Sequence, residues 1–208
     1  MKGRRNPLVA QEGIVWLLLA LIGTALTWHY ADPLYVIIPA ALFIYLLAVF
    51  RDPRRRIPAI PLGVVSPVDG KIVDVGLTGK GALGGEAHKI IIAVDSLGTY
   101  TARCPVEGKI MDFHGDAADE NVRKFSSGLW VQTDEGVDVV LQFQGHRFGL
   151  APLAFLRYGE RVGQGQRCAY LRLTRFAEVQ FPINGRVEVE RGQRVKAGTD
   201  LLGRLPHR

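Results

Sequence analysis

The chain has 208 residues, 48% of them hydrophobic, with 24 glycines, 11 prolines and a formal net charge of +6. This length suits one folded domain plus an additional segment, and so much glycine and proline argues against a mostly helical soluble protein. Most of the excess charge lies in residues 1–56, where seven Lys or Arg accompany three Asp or Glu. The charge therefore does not predict a nucleic-acid-binding surface.

Two apolar runs, residues 13–30 and 33–50, contain no Asp, Glu, Lys or Arg. Each has 18 residues, within the range of about 17–25 for a membrane-spanning helix. The break at Asp32 and Pro33 predicts an antiparallel pair of transmembrane helices, with residues 1–56 as a membrane anchor. Two alternatives are a cleaved signal peptide at the first run and a shallow hairpin that enters one leaflet and returns.

Basic residues flank the apolar runs on both sides, and they are Lys2, Arg4 and Arg5 before the first run and Arg51, Arg54, Arg55 and Arg56 after the second. Positive flanks favour the cytoplasmic side of a membrane. We therefore expect the inner membrane as the location, with the N-terminus and the rest of the protein on its cytoplasmic side.

The remaining chain predicts short strands. Residues 57–62 carry two prolines and no periodicity, which is typical of an extended linker. From residue 63 to 208 there is one domain with β-rich runs at residues 71–75, 89–94, 129–133, 137–143, 170–181 and 186–189. Turn-forming residues separate these runs, so the fold class is mainly β, a sandwich or barrel.

Two phrases recur within this domain. The pattern P-[VI]-[DEN]-G-[KR]-[IV] occurs at residues 67–72, 105–110 and 182–187, and G-[EQ]-R-V-x-x-G occurs at 159–165 and 192–198. In the first phrase, proline presets the turn, the acidic or amide side chain bonds back to the backbone, and glycine is expected to take a positive φ before a strand begins. Such repetition predicts two related halves folded against each other.

The order of these phrases over residues 105–205 resembles a biotinyl or lipoyl carrier domain, a flattened barrel-sandwich hybrid. In such carriers the central hairpin presents a lysine that the cofactor acylates. The corresponding residues 171–179 contain arginines but no lysine, and a guanidinium does not replace a lysine amine as acyl acceptor. The sequence therefore does not predict a covalently loaded arm.

Four motifs together, residues 50–58, 65–72, 103–108 and 159–167, resemble the short form of phosphatidylserine decarboxylase over nearly the whole chain. The resemblance implies a phospholipid substrate and a pyruvoyl group that serves as electron sink. In that family the pyruvoyl arises when the proenzyme cleaves itself before a serine, usually in a Gly-Ser pair.

The resemblance also shows what this chain lacks. Counting back from Pro182 without gaps, Thr174 takes the place of the glycine and Arg175 that of the serine. Arginine has no hydroxyl for an acyl shift, and the serines of the chain are Ser66, Ser96, Ser126 and Ser127. We therefore expect no pyruvoyl and no other cofactor.

Four further positions correspond to functional residues of the family. Asp69 matches the acidic residue linked to self-cleavage, although turn chemistry favours a turn role, since Glu107 and Asn184 occupy the same place in the repeats. Tyr100 takes the place of a histidine expected to move protons, and its ordinary pKa of about 10 makes it a poor substitute. Arg103 matches the family's arginine, and Gly98 replaces an aspartate.

These observations favour a membrane-anchored, decarboxylase-like pseudoenzyme that binds phospholipid head groups or a membrane protein partner. Its head-group candidates are arginines, namely Arg103, Arg51, Arg54, Arg55 and Arg56, and no residue spacing predicts a metal site. One alternative is an active phosphatidylserine decarboxylase with atypical processing. Another is a membrane-bound adaptor or assembly protein built on a lipoyl-like domain.

Overall fold

The computed structural model describes residues 9–30, 32–53, 55, 57–58, 60–79, 84–96, 98–111, 128–145, 152–171 and 173–206. Its described part begins with two helices and continues with short antiparallel strands. The expectation of a mainly β fold is confirmed.

Each predicted apolar run contains one α-helix. Helix α1 spans Ile14–Tyr30 after a short 3-10 turn, and helix α2 spans Ile37–Val49. The two helices, here called the helix pair, contact each other. Their outer ends meet where the Ala10 N–H donates to the Phe50 carbonyl at 2.8 Å.

The second helix is shorter than the run that contains it. Residues Pro33–Val36 form a 3-10 turn, in which the Tyr35 N–H donates to the Asp32 carbonyl at 2.9 Å, and the α-helix begins only at Ile37. The prediction of one continuous helix from 33 to 50 is therefore wrong. No helix within the described residues combines the length and apolar character needed to cross a membrane.

The strands of the described chain are β1 (Gly63–Val65), β2 (Gly70–Thr78), β3 (Ala87–Val94), β4 (Thr101–Arg103), β5 (Gly108–Met111), β6 (Gly128–Gln132), β7 (Asp138–Gln144), β8 (Leu153–Ala154), β9 (Arg161–Val162), β10 (Arg167–Tyr170), β11 (Phe176–Pro182), β12 (Arg186–Val187), β13 (Arg194–Val195) and β14 (Leu201–Arg204). They form an eight-stranded sheet of order β13-β2-β3-β11-β7-β6-β5-β9 and two three-stranded sheets, β1-β14-β12 and β4-β10-β8.

This strand order confirms two related halves. The first half of the large sheet, β13-β2-β3-β11, repeats as β9-β5-β6-β7, and the halves join where β11 pairs with β7. Likewise β1-β14-β12 corresponds to β4-β10-β8. The register agrees as well, because Gly70 opposes Val195 in one half as Gly108 opposes Val162 in the other.

The repeated phrases make equivalent hydrogen bonds. The Gly192 N–H donates to the Ile72 carbonyl at 2.8 Å, and the Gly159 N–H donates to the Ile110 carbonyl at 2.9 Å. All four glycines that bound the second phrase have positive φ, between 67° and 93°. In each half, the G-x-R-V-x-x-G phrase therefore forms an edge strand that is hydrogen-bonded to the strand after a proline turn.

The proline turns use glycine for a different reason than expected. Gly70 and Gly185 do not adopt positive φ, so that prediction is wrong for both. Glycine is required because a side chain would not fit. A Cβ on Gly70 would stand 2.0 Å from the Ala93 carbonyl oxygen, and a Cβ on Gly108 would stand 2.2 Å from the Gln132 carbonyl oxygen. Glycine permits this close approach of neighbouring backbones.

The hydrophobic core lies between the two halves. Alternate residues of the central strands point into it, with Val179 and Phe181 from β11 and Leu141 from β7 among the most buried. The turn residues Val68 and Val106, which occupy the same position in the two repeats, are both buried there. Burial of matching residues from each half explains why the halves close on each other.

Candidate functional site

Asp69 lies in the first proline turn with both carboxylate oxygens bound. Oδ1 accepts hydrogen bonds from Arg55 Nη1 at 2.6 Å and from the Ala197 N–H at 2.8 Å. Oδ2 accepts from Arg55 Nη2 at 2.5 Å and from the backbone N–H and hydroxyl of Thr99 at 3.0 and 2.9 Å. The side chain is only 12% exposed, so Arg55 and Asp69 form a largely buried, bidentate ion pair.

These contacts determine the ionisation of Asp69. Burial acts to raise its pKa, but the Arg55 guanidinium and the N–H groups of Thr99 and Ala197 outweigh burial, and the pKa falls below its ordinary value. A general base works best with a pKa near the operating pH. In this arrangement Asp69 is thus a structural anion rather than a base.

A second cluster of buried charges lies beside this pair. Asp52 binds Arg103 Nη2 through Oδ1 and Arg167 Nε through Oδ2, both at 2.9 Å. Its carboxylate is fully buried and the two guanidinium groups are 1% exposed. The Glu12 carboxylate lies 3.9 Å from Arg167, so two carboxylates balance two arginines.

Arg103 is a structural cation in this cluster. Its Nη1 also donates to the Gly165 carbonyl at 3.1 Å. Burial lowers the pKa of Arg103 below its ordinary value, and the attraction of Asp52 opposes that shift. A guanidinium remains protonated in proteins, and this one has its donors directed into the protein rather than toward a head group.

The pair that replaces the expected cleavage site lies just before β11. The Thr174 hydroxyl donates to the Leu171 carbonyl at 2.6 Å, and the Arg175 backbone is held on both sides, its N–H by the Gln144 carbonyl at 3.3 Å and its carbonyl by the Val94 N–H at 2.8 Å. Thr174 is buried, whereas the Arg175 side chain is exposed. The peptide bond between them is therefore fixed by the ends of the neighbouring strands β3 and β7.

Two cavities meet at this point. The apolar cavity, of about 420 Å³, lies between the helix pair and the β domain, and its apolar lining includes Trp16, Tyr45, Val49, Phe50, Leu153 and Tyr170. The polar cavity, of about 230 Å³, is lined by Ala93, Val94, Ser96, Thr174, Arg175 and Phe176. Tyr100 and Leu173 line both cavities, which therefore lie side by side.

Tyr100 stands at the junction of the two cavities. Its hydroxyl donates to the Ser96 carbonyl at 3.0 Å, and its backbone neighbour Thr99 is the residue that binds Asp69. Gly98 lies directly against Asp69, because a Cβ there would stand 2.8 Å from the Asp69 Cβ. The loop has no room for an aspartate at position 98 in this arrangement.

The comparisons with known proteins agree with this geometry. The chain is 30% identical over 212 residues to the phosphatidylserine decarboxylase proenzyme of Nitrosomonas europaea (strain ATCC 19718 / CIP 103999 / KCTC 2705 / NBRC 14298), covering 95% of each chain. The chain belongs to the phosphatidylserine decarboxylase family. The proenzyme of Burkholderia ambifaria (strain MC40-6) is 29% identical over 214 residues, covering 96% of this chain and 97% of that one.

The other comparisons add less to the family assignment. No family model matches the chain. Among solved structures, the glucose permease IIA from Mycoplasma capricolum aligns with 68% of this chain and 94% of its own, at 19% identity and a TM-score of 0.48.

The structure separates the decarboxylase-family positions into two groups. Thr174, Arg175 and Tyr100 line the polar cavity. Asp69 and Arg103 are absent from the linings of both cavities and belong to the buried charge pairs. The family resemblance therefore identified residues of one cavity, of one buried ion pair and of one buried charge cluster.

The arginines named as head-group candidates also differ in their placement. Arg51 is exposed and follows the helix pair directly. Arg55 is occupied by Asp69, and Arg54 and Arg56 lie outside the described residues. Of the predicted basic cluster, Arg51 is the described residue that remains accessible to a head group.

Sequence reasoning missed the residues that neutralise the buried arginines. Asp52 and Arg167 lie within the motifs at residues 50–58 and 159–167, but the sequence does not identify them, or Glu12, as charge partners. The sequence does contain one indication of these partners. Asp52 lies inside a run of arginines, and an acidic residue in such a run indicates an ion pair. Among the described residues, no group of three His, Cys, Asp or Glu side chains is arranged to hold a metal ion.

The two cysteines are not candidate nucleophiles. Both are buried and unbridged. Burial raises the pKa of Cys104 to about 12 and the pKa of Cys168 well above its ordinary value. Because the thiolate is the reactive form, neither thiol is poised for an acyl shift.

Proposed function

We propose that this chain is a non-processing member of the phosphatidylserine decarboxylase family that is attached to the cytoplasmic membrane and binds phospholipid there. The names of its relatives supply the lipid class, since those proteins are called phosphatidylserine decarboxylase proenzymes. The chemistry of the site argues against self-cleavage, because family membership does not by itself preserve an activity whose residues have changed.

The observation that carries this proposal is Arg175. It stands where the family resemblance expects the serine that attacks the preceding carbonyl, and a guanidinium provides neither a nucleophilic oxygen nor a precursor of a pyruvoyl group. Two neighbouring groups are engaged elsewhere, since the Thr174 hydroxyl donates to the Leu171 carbonyl and Asp69 is bound to Arg55.

Membrane attachment is supported by the surface of the helix pair. Large apolar side chains are exposed along both helices, including Leu19 at 56%, Ile22 at 54% and Ile38 at 72%. Trp28 and Tyr30 are exposed near the bend, and such rings favour the lipid headgroup region. An apolar surface of this extent marks an interaction site, and a hairpin embedded in one leaflet covers it.

The β domain is proposed to be a barrel-sandwich hybrid. Its support is the repeated strand order of the two halves and the equivalent pairing of β2 with β13 and of β5 with β9. The expected hairpin at residues 171–179 is instead a crossing between sheets, because β10 lies in a three-stranded sheet and β11 in the eight-stranded one, and Thr174 and Arg175 of this segment line the polar cavity.

Intact-mass spectrometry of the purified full-length protein tests the loss of processing. We expect one uncut chain of 22.9 kDa, because Arg175 supplies no oxygen that could attack the bond before it. The Nitrosomonas europaea relative, expressed in the same host, is the matched control for processing conditions. Two fragments divided near residue 174, the smaller with a carbonyl-blocked terminus, would sink the proposal.

That outcome would favour the second candidate, an active decarboxylase with atypical processing, for which family membership is the supporting observation. Decarboxylase activity of the purified protein on phosphatidylserine would then be the decisive measurement. No observation on the described residues favours the adaptor alternative.

Membrane attachment has a separate test. The full chain should float with liposomes in a density gradient, whereas a variant with Leu19, Ile22 and Ile38 replaced by Asn should remain at the bottom. Equal flotation of both proteins would contradict attachment through the helix pair. Folding of the variant is checked by its far-UV circular dichroism.

A further inference from the structure

We propose that the polar cavity binds the phosphate of an anionic phospholipid without an amine, with Arg175 as its ligand and the acyl chains over the apolar cavity. This inference rests on the proposed function, because it requires an uncleaved chain. It assigns the lipid class and the residue that selects it.

The charge of the polar cavity favours an anion as its ligand. Arg175 is the one charged side chain among the described residues that line it. The remaining lining is apolar or carries a hydroxyl, as in Ser96, Tyr100 and Thr174. A cavity with a single guanidinium and no carboxylate attracts anions and repels an ammonium group.

The Arg175 guanidinium is available to bind a ligand. The Arg175 backbone is held by Gln144 and Val94, so the base of the side chain is fixed at the cavity wall. Its side chain is exposed, and no hydrogen bond or ion pair joins its guanidinium to another described residue. By contrast, the buried and half-buried arginines described above are each paired with a carboxylate. They are Arg55, Arg103 and Arg167.

The apolar cavity offers a surface for the acyl chains. The apolar cavity shares Tyr100 and Leu173 with the polar one and is also lined by Trp16 of α1 and Tyr45 of α2. Its acidic residue, Glu12, lies 3.9 Å from Arg167, so its charge is balanced within the protein. The two cavities together fall in the range of about 300–1,000 Å³ that is typical of ligand sites.

The Arg175 guanidinium determines which head group the polar cavity accepts. A guanidinium binds phosphate oxygens through two parallel hydrogen bonds. A head group that also carries an ammonium would place that charge close to Arg175, with no carboxylate in the polar cavity to receive it. Phosphatidylglycerol satisfies both conditions, whereas phosphatidylserine has the same net charge but carries an amine.

Native mass spectrometry of the full-length protein in detergent, with phosphatidylglycerol added, tests this inference. We expect Arg175→Gln to weaken phosphatidylglycerol binding about tenfold, the loss of one charge-assisted contact. Arg191→Gln is the matched control, because it removes one exposed positive charge from the β domain away from both cavities, and it should leave binding unchanged. Arg175→Lys should retain part of the affinity.

Each contrary result has a defined meaning. Equal weakening by Arg175→Gln and Arg191→Gln would overturn the site in favour of nonspecific attraction to a basic protein. Phosphatidylserine binding as tightly as phosphatidylglycerol would overturn the head-group assignment. Competition by soluble glycerol 3-phosphate at the same concentration as the lipid would show that a soluble phosphate ester, not a lipid, occupies the cavity.

The same spectra separate this inference from the proposed function. The mass of the protein reports whether the chain is cleaved, and the mass of each complex reports the bound lipid. A cleaved chain contradicts the proposed function. An intact chain whose Arg175→Gln variant binds phosphatidylglycerol like the unmodified protein contradicts the inference alone.

Discussion

The two halves of the β domain share a backbone and differ in their charges. Val65 and Leu201 oppose each other where β1 pairs with β14, and Arg103 and Arg167 oppose each other at the same register where β4 pairs with β10. An apolar pair thus corresponds to two buried cations. The second half tolerates them because Asp52, just after the helix pair, inserts its carboxylate between them.

The turn acids show the same contrast in the opposite direction. Asp69 is buried and bound by Arg55, whereas Glu107, at the equivalent place in the second repeat, is exposed. The strand pairs and turns are thus a repeated frame, and the segment between the helix pair and the β domain makes the two halves different. It supplies a carboxylate to one half and a guanidinium to the other.

The largest effect should come from Asp52→Asn. It leaves Arg103 and Arg167 facing each other with no adjacent carboxylate between them, and breaking such a buried pair costs about 3–5 kcal/mol. Urea unfolding in detergent, followed by tryptophan fluorescence, measures the loss. Asp134→Asn is the control, because the ion pair of Asp134 with Arg161 is exposed and contributes about 1 kcal/mol or less.

A triple variant sharpens this test. Asp52→Asn combined with Arg103→Val and Arg167→Leu gives the second half the apolar pair of the first. Replacing a buried ionic cluster by apolar residues is often neutral or stabilising, so we expect most of the lost stability to return. A triple variant less stable than Asp52→Asn would show that the two strand pairs are not interchangeable.

The turn acids should respond unequally to neutralisation. Asp69→Asn should cost about 3 kcal/mol at neutral pH, because it breaks the largely buried pair with Arg55, while Glu107→Gln should cost less than about 0.5 kcal/mol as an exposed substitution. Unfolding free energies of the two variants check this. Equal losses would mean that the turn itself, rather than Arg55, stabilises the acid.

The contribution of Asp69 should also depend on pH. Its folded-state pKa is lowered, so its stabilisation is fully present above the unfolded value of about 3.9 and is lost as pH falls through the lower folded pKa. The difference in stability between the unmodified protein and Asp69→Asn should therefore be constant near neutrality and shrink only below about pH 4. A difference that disappears between pH 5 and 7 would contradict this assignment.

The turn glycines should respond equally. Gly70→Ala and Gly108→Ala each place a Cβ within about 2 Å of a neighbouring carbonyl oxygen, and the resulting backbone shift costs about 2 kcal/mol. Gly76→Ala is a control on β2, because a Cβ added at Gly76 would meet no atom within 4 Å. Tolerance at only one of the two turns would break the equivalence of the halves.

Cys104→Ser should have a small effect for a buried position. Ser66 is its counterpart in the first half, and the Ser66 hydroxyl donates to the Val68 carbonyl at 2.8 Å. A backbone hydrogen bond from Val106 reaches the Cys104 side chain, so the new hydroxyl has a partner and the cost should be about 1 kcal/mol or less. Cys168→Ser, which lacks a counterpart serine, should cost more in the same unfolding assay.

Several features of the site could be predicted from the sequence because they depend on local residues. The replacement of a serine by Arg175 is visible in the chain, and so is the position of Tyr100 beside a turn. The placement of Arg103 could not be predicted, because a basic residue in a short strand is compatible with either a lipid phosphate or a buried partner. The choice depends on Asp52, which is 51 residues away in the chain.

By itself the sequence determined the family, the repeated proline and glycine phrases, and hence two related halves, because turns and strand edges depend on adjacent residues. Only the tertiary structure decided which turn acid is buried, which arginines are neutralised and which one remains exposed in a cavity. Identical turns acquire different roles since the ionic state of a buried group depends on the charges brought beside it, and folding brings those from distant parts of the chain.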